Sequence, residues 1–253
     1  MSDPVYRPIV LAARSVFAGL GLHLDVVGSE NIPRTGGAIL AVNHTSYLDF
    51  ALGGIPADKV GHRLVRFMAK DGIFKHPVAG PLMRGMKHIP VDRDAGSAAF
   101  RDAVAALKAG ELVGVFPEAT MSRSFEVKDI KNGAVRMARA ANVPLIPMII
   151  FGGQRVLSYG VKDFSRGKTI CITVGEPLPV PKGADVDDIT AQLHARMAAL
   201  LDETIDRYPD KPLGAWWIPK RRGGSAPTPD EALLIEDRVR EEKAAKRAAE
   251  GKK

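Results

Sequence analysis

The sequence predicts an α/β domain: a largely parallel, mixed sheet flanked by helices, with a charged tail behind it. Three observations carry this. Short continuous apolar runs, AILAVN (38–43), ELVGVFPE (111–118) and VPLIPMII (143–150), have the length and composition of strands buried on both faces. Segments of helical character, such as the alanine-rich stretch 96–108, alternate with them. No run of about 18 uninterrupted apolar residues occurs, so no clear membrane-spanning helix is expected.

Composition narrows the class. The 253 residues are 45% hydrophobic and 26% charged, which excludes whole-chain disorder, a collagen and a disulfide scaffold. The single Cys171 cannot form an internal disulfide, and its apolar strand marks it as core. The net charge of +7 falls entirely on residues 1–222, because acidic and basic residues balance in 223–253. A basic body indicates anionic partners: nucleic acid, phospholipid headgroups or phosphorylated small molecules.

The elements follow in order. Residues 5–24 read as an amphipathic helix with Arg7 and Arg14 on one side. It is too short and too charged to span a bilayer, so it lies in the membrane interface or packs on the domain. LDVVG (24–28) is a strand, 30–37 a turn-rich loop, and 38–43 a buried strand. A helix is expected over 45–52, capped by Thr45 or Ser46. Strands are expected at 65–70, 88–93, 111–118, 143–150 and 168–177. Helices are expected at 96–108, stopped by Gly110, at 131–142, and at 186–208, capped by Asp185. GGSAPTP (223–229) reads as a linker, and 230–250 as a solvated helix or a disordered segment. The domain organisation is therefore an N-terminal helix (1–24), a catalytic domain (25–222) and a flexible charged tail (223–253).

Polar clusters end three of the strands. His44 and Asp49 follow the first apolar run. A carboxylate on one imidazole nitrogen leaves the other free as a base, which suits deprotonating a hydroxyl. A satisfied loop histidine beside a helix-capping aspartate is the competing reading. Asp92, Arg93 and Asp94 end the second strand, and Glu118, Thr120 and Arg123 follow the third. In an open α/β sheet, ligands bind where carboxyl ends of strands meet their loops.

These blocks, His44-x4-Asp49, Ile89-Pro90-Val91-Asp92-Arg93, Phe116-Pro117-Glu118-x-Thr120 and Val143-Pro144-Leu145-Ile146-Pro147, resemble in order those of the glycerolipid acyltransferases. The nearest likeness is to the lysophosphatidic acid acyltransferases. The resemblance covers about residues 25–210 and implies roles. His44 is the general base and Asp49 its orienting partner, while Lys70 lies near the developing oxyanion. Arg93 binds the acceptor phosphate, and Glu118 and Thr120 position the acceptor glycerol. The fourth block shapes the acyl tunnel or the core. The donor is acyl-CoA or an acyl carrier protein thioester, the acceptor a lysophospholipid, and no metal or other cofactor is needed.

Two departures concern glycine, one arginine. Lys87 stands where the second block has glycine, and Ala119 where the third has it. Met121 replaces an arginine, for which Arg123 or Lys87 is expected to compensate.

Other motifs are set aside. Gly167-Lys168-Thr169 echoes a P-loop, but it precedes a strand where a P-loop follows one. No zinc spacing and no Gly-x-Ser-x-Gly elbow occurs. No nucleic-acid module is present, so nucleic acid is not an expected partner. Trp216-Trp217 beside Lys220-Arg221-Arg222 reads as a second shallow contact with an anionic membrane. A peripheral or monotopic enzyme on the cytoplasmic face of the cell membrane is therefore expected.

Overall fold

The structure, a computed structural model, describes residues 4–92 and 96–250, the last five by backbone alone. Its strands are β1 (His23–Val27), β2 (Ala38–Val42), β3 (Val65–Lys70), β4 (Ile89–Val91), β5 (Leu112–Val115) and β6 (Leu145–Phe151). A small hairpin, β7 (Leu157–Ser158) and β8 (Val161–Lys162), precedes β9 (Thr169–Val174). Seven strands form one sheet in the order β1-β9-β6-β2-β5-β3-β4. Every neighbouring pair is parallel except β6 with β9.

The central strand explains its own sequence. All five residues of β2 are completely buried. Ile39 and Ala41 enter one hydrophobic cluster, Leu40 and Val42 another, because successive side chains point to opposite faces. A strand covered on both sides has no polar face to show. Each large aliphatic chain buried there contributes about 1.5–3 kcal/mol.

Helices α6 (Gly96–Lys108), α7 (Gly133–Ala141) and α8 (Val186–Arg207) cover the first face. The second is covered by α1 (Tyr6–Gly19), α2 (Asp49–Leu52) and α3 (Ile55–Lys59). Two short helices, α4 (Asp71–Phe74) and α5 (Ala79–Gly85), close the edge beside β3 and β4. Local chemistry sets the ends. The Asp185 side chain accepts from the Asp187 and Asp188 N–H groups at 2.8 and 3.1 Å, capping α8. Gly110, at φ 85°, ends α6.

Several expectations change. The helix expected over 45–52 begins only at Asp49. The Asp49 carboxylate accepts from the Thr45 and Ser46 N–H groups, holding 45–48 as a turn, so neither residue caps a helix. Helix α1 packs Tyr6 and Phe17 inward while Leu11 and Val16 stay exposed. Trp217 is not a membrane anchor. It is buried among Phe151 and Tyr208, with the Arg155 guanidinium 4.2 Å above its ring. The basic run beside it is neutralised within the chain: Lys220 pairs with Glu231, Arg221 with Glu126 and Asp202, and Arg222 with Asp206.

The tail takes the first of its two expected forms, a largely solvated helix. Residues 229–250 form a helix, α9 (Pro229–Glu250). A reciprocal cap starts it: the Thr228 N–H donates to Glu231 at 2.8 Å, and the Glu231 N–H to the Thr228 hydroxyl at 3.3 Å. The preceding linker is docked, with Ala226 buried and its N–H on the Ile218 carbonyl. Among the described residues no helix is long and apolar enough to cross a membrane.

Candidate active site

Strand β2 delivers its last residues to the carboxyl end of the sheet, where the chain order splits between β5 and β6. Asn43 locks that end. Its side-chain amide donates to the Ile150 carbonyl at 3.1 Å, and its carbonyl oxygen accepts from the Ile150 N–H at 2.7 Å. The next residue is thereby aimed out of the sheet.

That residue is His44. Its ring nitrogen Nδ1 lies 3.0 Å from Asp49 Oδ2 and its ring stacks on Phe116 at 4.3 Å. Asp49 is fully buried. Burial pushes its carboxyl up, and the hydrogen bonds from the His44 ring and the Ser46 and Thr45 N–H groups oppose this. With Nδ1 engaged, the imidazole has Nε2 left as its reactive nitrogen.

The loop after β5 holds the backbone of His44 from the other side. The His44 N–H donates to Glu118 Oε1 at 2.9 Å, and the His44 carbonyl accepts from the Ser122 N–H at 2.7 Å. Glu118 Oε2 accepts from the Lys128 N–H at 3.0 Å. Glu118 is therefore a clamp between two loops, with both oxygens occupied. Burial pushes its carboxyl up to about 8, against the pull of those two N–H groups.

A cleft of about 600 Å³ opens before His44. Lys70 and Lys131 line its polar part, and Phe50, Met68, Met83, Ala119 and Met137 its apolar part. Methionine side chains adapt to irregular apolar shapes. Arg123 lies beyond Tyr47 and Tyr159, its guanidinium 4.0 Å from the Tyr159 ring. Thr120 accepts from Lys128 Nζ at 2.9 Å.

The structure thus brings together His44, Asp49, Lys70 and Glu118, while Thr120 and Arg123 lie in the loop after β5 with contacts to Lys128 and Tyr159 and are not among the residues that line the cleft. It does not bring Lys87 there. Lys87 borders a separate cavity of about 490 Å³ with Arg7, Arg63 and Glu111, at the amino ends of β3 and β5. It precedes its strand, whereas the others end or follow theirs. Arg93 lies outside the described residues. The fourth block is core: Leu145 and Ile146 are fully buried in β6. Cys171 is also core, with burial raising its thiol to about 11. Lys168 spends its ammonium on Asp163 and Ser165 within its own turn.

Reading the sequence missed Lys131, the cation at the head of α7 that lines the cleft. The signal was present. A lysine ahead of a helix amino terminus opposes the helix dipole and needs another reason to be there. It also missed Asn43, whose amide extends the β2–β6 ladder by one rung.

The arrangement can activate a hydroxyl beside a long apolar substrate, with cations close by. Such a cleft suits a lipid-like substrate. The chain belongs to the Acyltransferase family, which it matches over residues 23–151. It is 31% identical over 170 residues to the 1-acyl-sn-glycerol-3-phosphate acyltransferase of Bacillus subtilis, 66% of this chain and 79% of that protein. A chloroplastic 1-acyl-sn-glycerol-3-phosphate acyltransferase of Arabidopsis thaliana is 24% identical over 212 residues. That alignment takes in 79% of this chain but only 56% of the longer plant protein. The crystal structure of the acyltransferase PlsC from Thermotoga maritima superposes with a TM-score of 0.66 at 26% identity, covering 81% of each chain. The protein is an acyltransferase of this glycerolipid type.

Proposed function

We propose that the protein moves an acyl group from a thioester, acyl-CoA or acyl carrier protein, to the free hydroxyl of 1-acylglycerol 3-phosphate. The product is phosphatidic acid. The observation that carries this reading is the His44–Asp49 pair at the mouth of a cleft with an apolar interior. His44 Nε2 takes the hydroxyl proton as the oxygen attacks the thioester carbonyl. The C–O bond forms, the C–S bond breaks, and the proton passes to the departing thiolate. Asp49 stabilises the transient imidazolium. Lys70 is the cation for the oxyanion. Glu118 positions the base by holding its backbone, and Thr120 and Arg123 belong to the acceptor side.

One observation favours a second acceptor. Met121, where the resembling pattern has arginine, is buried, so the headgroup ligand comes from elsewhere in the loop. Glycerol 3-phosphate, another lysophospholipid and a glycolipid hydroxyl are the runner-up acceptors, and a non-catalytic lipid-binding protein is the alternative from another class. The protein works at the cytoplasmic membrane surface as a peripheral enzyme. Exposed Leu11 and Val16 on α1, and Val78 and Leu82 beside the cleft edge, support contact with lipid.

The test is acyl transfer by purified protein from labelled acyl-CoA and acyl carrier protein to a panel of acceptors, following lipid product and free thiol. Phosphatidic acid from 1-acylglycerol 3-phosphate supports the reading. Product on another acceptor keeps the chemistry and reassigns the substrate.

A further inference from the structure

The resemblance gives the acceptor phosphate Arg93, which lies outside the described residues, and a second arginine at the position of Met121, which is buried and apolar here. Behind the same loop, Lys128 makes three contacts with its ammonium. One is Thr120 Oγ1 at 2.9 Å. The other two are both carboxylate oxygens of Glu236, at 2.7 and 2.8 Å. Both side chains of the pair are mostly buried. Glu236 belongs to α9, outside the region of family likeness. An appended helix is thus anchored by an acid to a cation that touches Thr120, the residue assigned to the acceptor.

Arg123 shows the complementary feature. Its Nε is buried without a hydrogen-bond partner. Tyr159 lies near both Arg123 and the acid: Arg123 is over its ring, and the charges of Arg123 and Glu236 both act on its hydroxyl. A single carboxylate satisfies Lys128 and leaves Arg123 Nε wanting an acceptor. A phosphomonoester, with three terminal oxygens and a charge near −2, has enough acceptors for both.

We propose that Lys128 and Arg123 together hold the phosphomonoester of the acceptor, and that Glu236 of α9 occupies this place until the acceptor arrives. The identity of the acceptor rests on the acyl-transfer reading above; the anion site does not. Lys128 is then a specificity-determining residue and α9 a displaceable strap. Only about half of α9 is engaged: Ala232 is buried and Ile235, Glu236 and Val239 half-buried, while residues 240–245 are exposed. A helix held by so few contacts opens at low cost. Neutral acceptors cannot displace Glu236, and zwitterionic headgroups offer fewer charged oxygens than a phosphomonoester. The strap therefore discriminates by headgroup charge.

Two measurements on the full chain test this. The first is hydrogen exchange of the 232–240 amides with and without glycerol 3-phosphate. Exchange is expected to rise several-fold in the wild type and not in Lys128→Gln. The second is steady-state kinetics with 1-oleoylglycerol 3-phosphate and, as the uncharged control, 1-oleoylglycerol. Removing a resident competitor with Glu236→Gln should lower the KM for the phosphate acceptor about three- to tenfold, with the donor KM held within about twofold. Lys128→Gln should raise the acceptor KM at least about tenfold, and Lys128→Arg should restore most of it. An acceptor KM unmoved by Glu236→Gln, or α9 exchange blind to glycerol 3-phosphate, overturns the proposal. Exchange that responds in a protein transferring no acyl group to any acceptor sinks the acyl-transfer reading and leaves the anion site standing.

Discussion

The two ends of the sheet use the same kinds of residue for opposite ends. At the amino ends of β2 and β5, Arg63 donates to the carbonyls of Pro33, Gly36 and Gly110 at 2.6 to 2.7 Å. Arg66 does the same for Met86 and pairs with Glu111. At the carboxyl ends, buried polar atoms are left short of partners: Asp49 Oδ1, Thr45 Oγ1 and Arg123 Nε. Unused hydrogen-bonding capacity inside a protein is costly. Where arginine is fully spent it staples loops. Where it is underspent, as at Arg123, a buried donor is left over.

The backbone repeats the contrast. Both positions where the family pattern has glycine keep a left-handed conformation here, Lys87 at φ 55° and Ala119 at φ 61°. The strain of a side chain in that region was accepted at each end, and only Ala119 borders the cleft.

The comparison makes four predictions. The largest effect is at the carboxyl end. His44→Ala should cost at least about 10²–10⁴ in turnover in a protein that still folds cooperatively; near-normal turnover would break the contrast. The second concerns Glu118. Its folded carboxyl is raised from 4.5 to about 8, so the native state holds a proton that the unfolded chain has lost. The stability this gives is complete below pH 4.5 and is lost as pH rises to about 8. The slope is at most about 1.4 kcal/mol per pH unit. Denaturation across that window should show the decline, and Glu118→Gln, which cannot titrate, should flatten it. The same variant should also be less stable than the wild type at low pH, since its amide NH2 faces an N–H donor.

The third prediction lies at the amino end. Arg63→Ala should destabilise by about 2–3 kcal/mol, through three carbonyls losing a charged donor, and leave kcat/KM intact below the melting temperature. A kinetic defect there would erase the distinction between the ends. The smallest effects come from restoring glycine. Ala119→Gly and Lys87→Gly should each stabilise by about 1 kcal/mol, since a Cβ is strained in the left-handed region. Only the first should also change kinetics, because it alters the cleft wall.

The sequence carried the sheet and the dyad for one physical reason. A strand buried on both faces must be continuously apolar, and the polar residues that interrupt it mark its exit. Hence 38–43 and His44 were legible together. Much else was hidden by distance. No local pattern shows that Trp217 meets Phe151 and Tyr208, or that Arg221 meets Glu126. The short helices α4 and α5 lack a full amphipathic period. The tail was legible only as a choice between a solvated helix and disorder. Thr228-Pro229-Asp230-Glu231 is a helix start by composition, and the charge balance of 230–250 obscured it. Lys128 was equally invisible, because its meaning depends on Glu236, far along the chain.

The strand order has a consequence for how the chain comes off the ribosome. The strand that carries the histidine, β2, is made early but lies between β5 and β6. One backbone edge of this apolar strand waits for Leu112–Val115 and the other for Leu145–Phe151, and β1 waits longer still, for Thr169–Val174. Such a segment is a site for chaperone capture or aggregation during synthesis. His44 is therefore translated early, and a nascent chain halted before β6 carries the base with Asp49 and Glu118 but without the strand onto which Asn43 locks it.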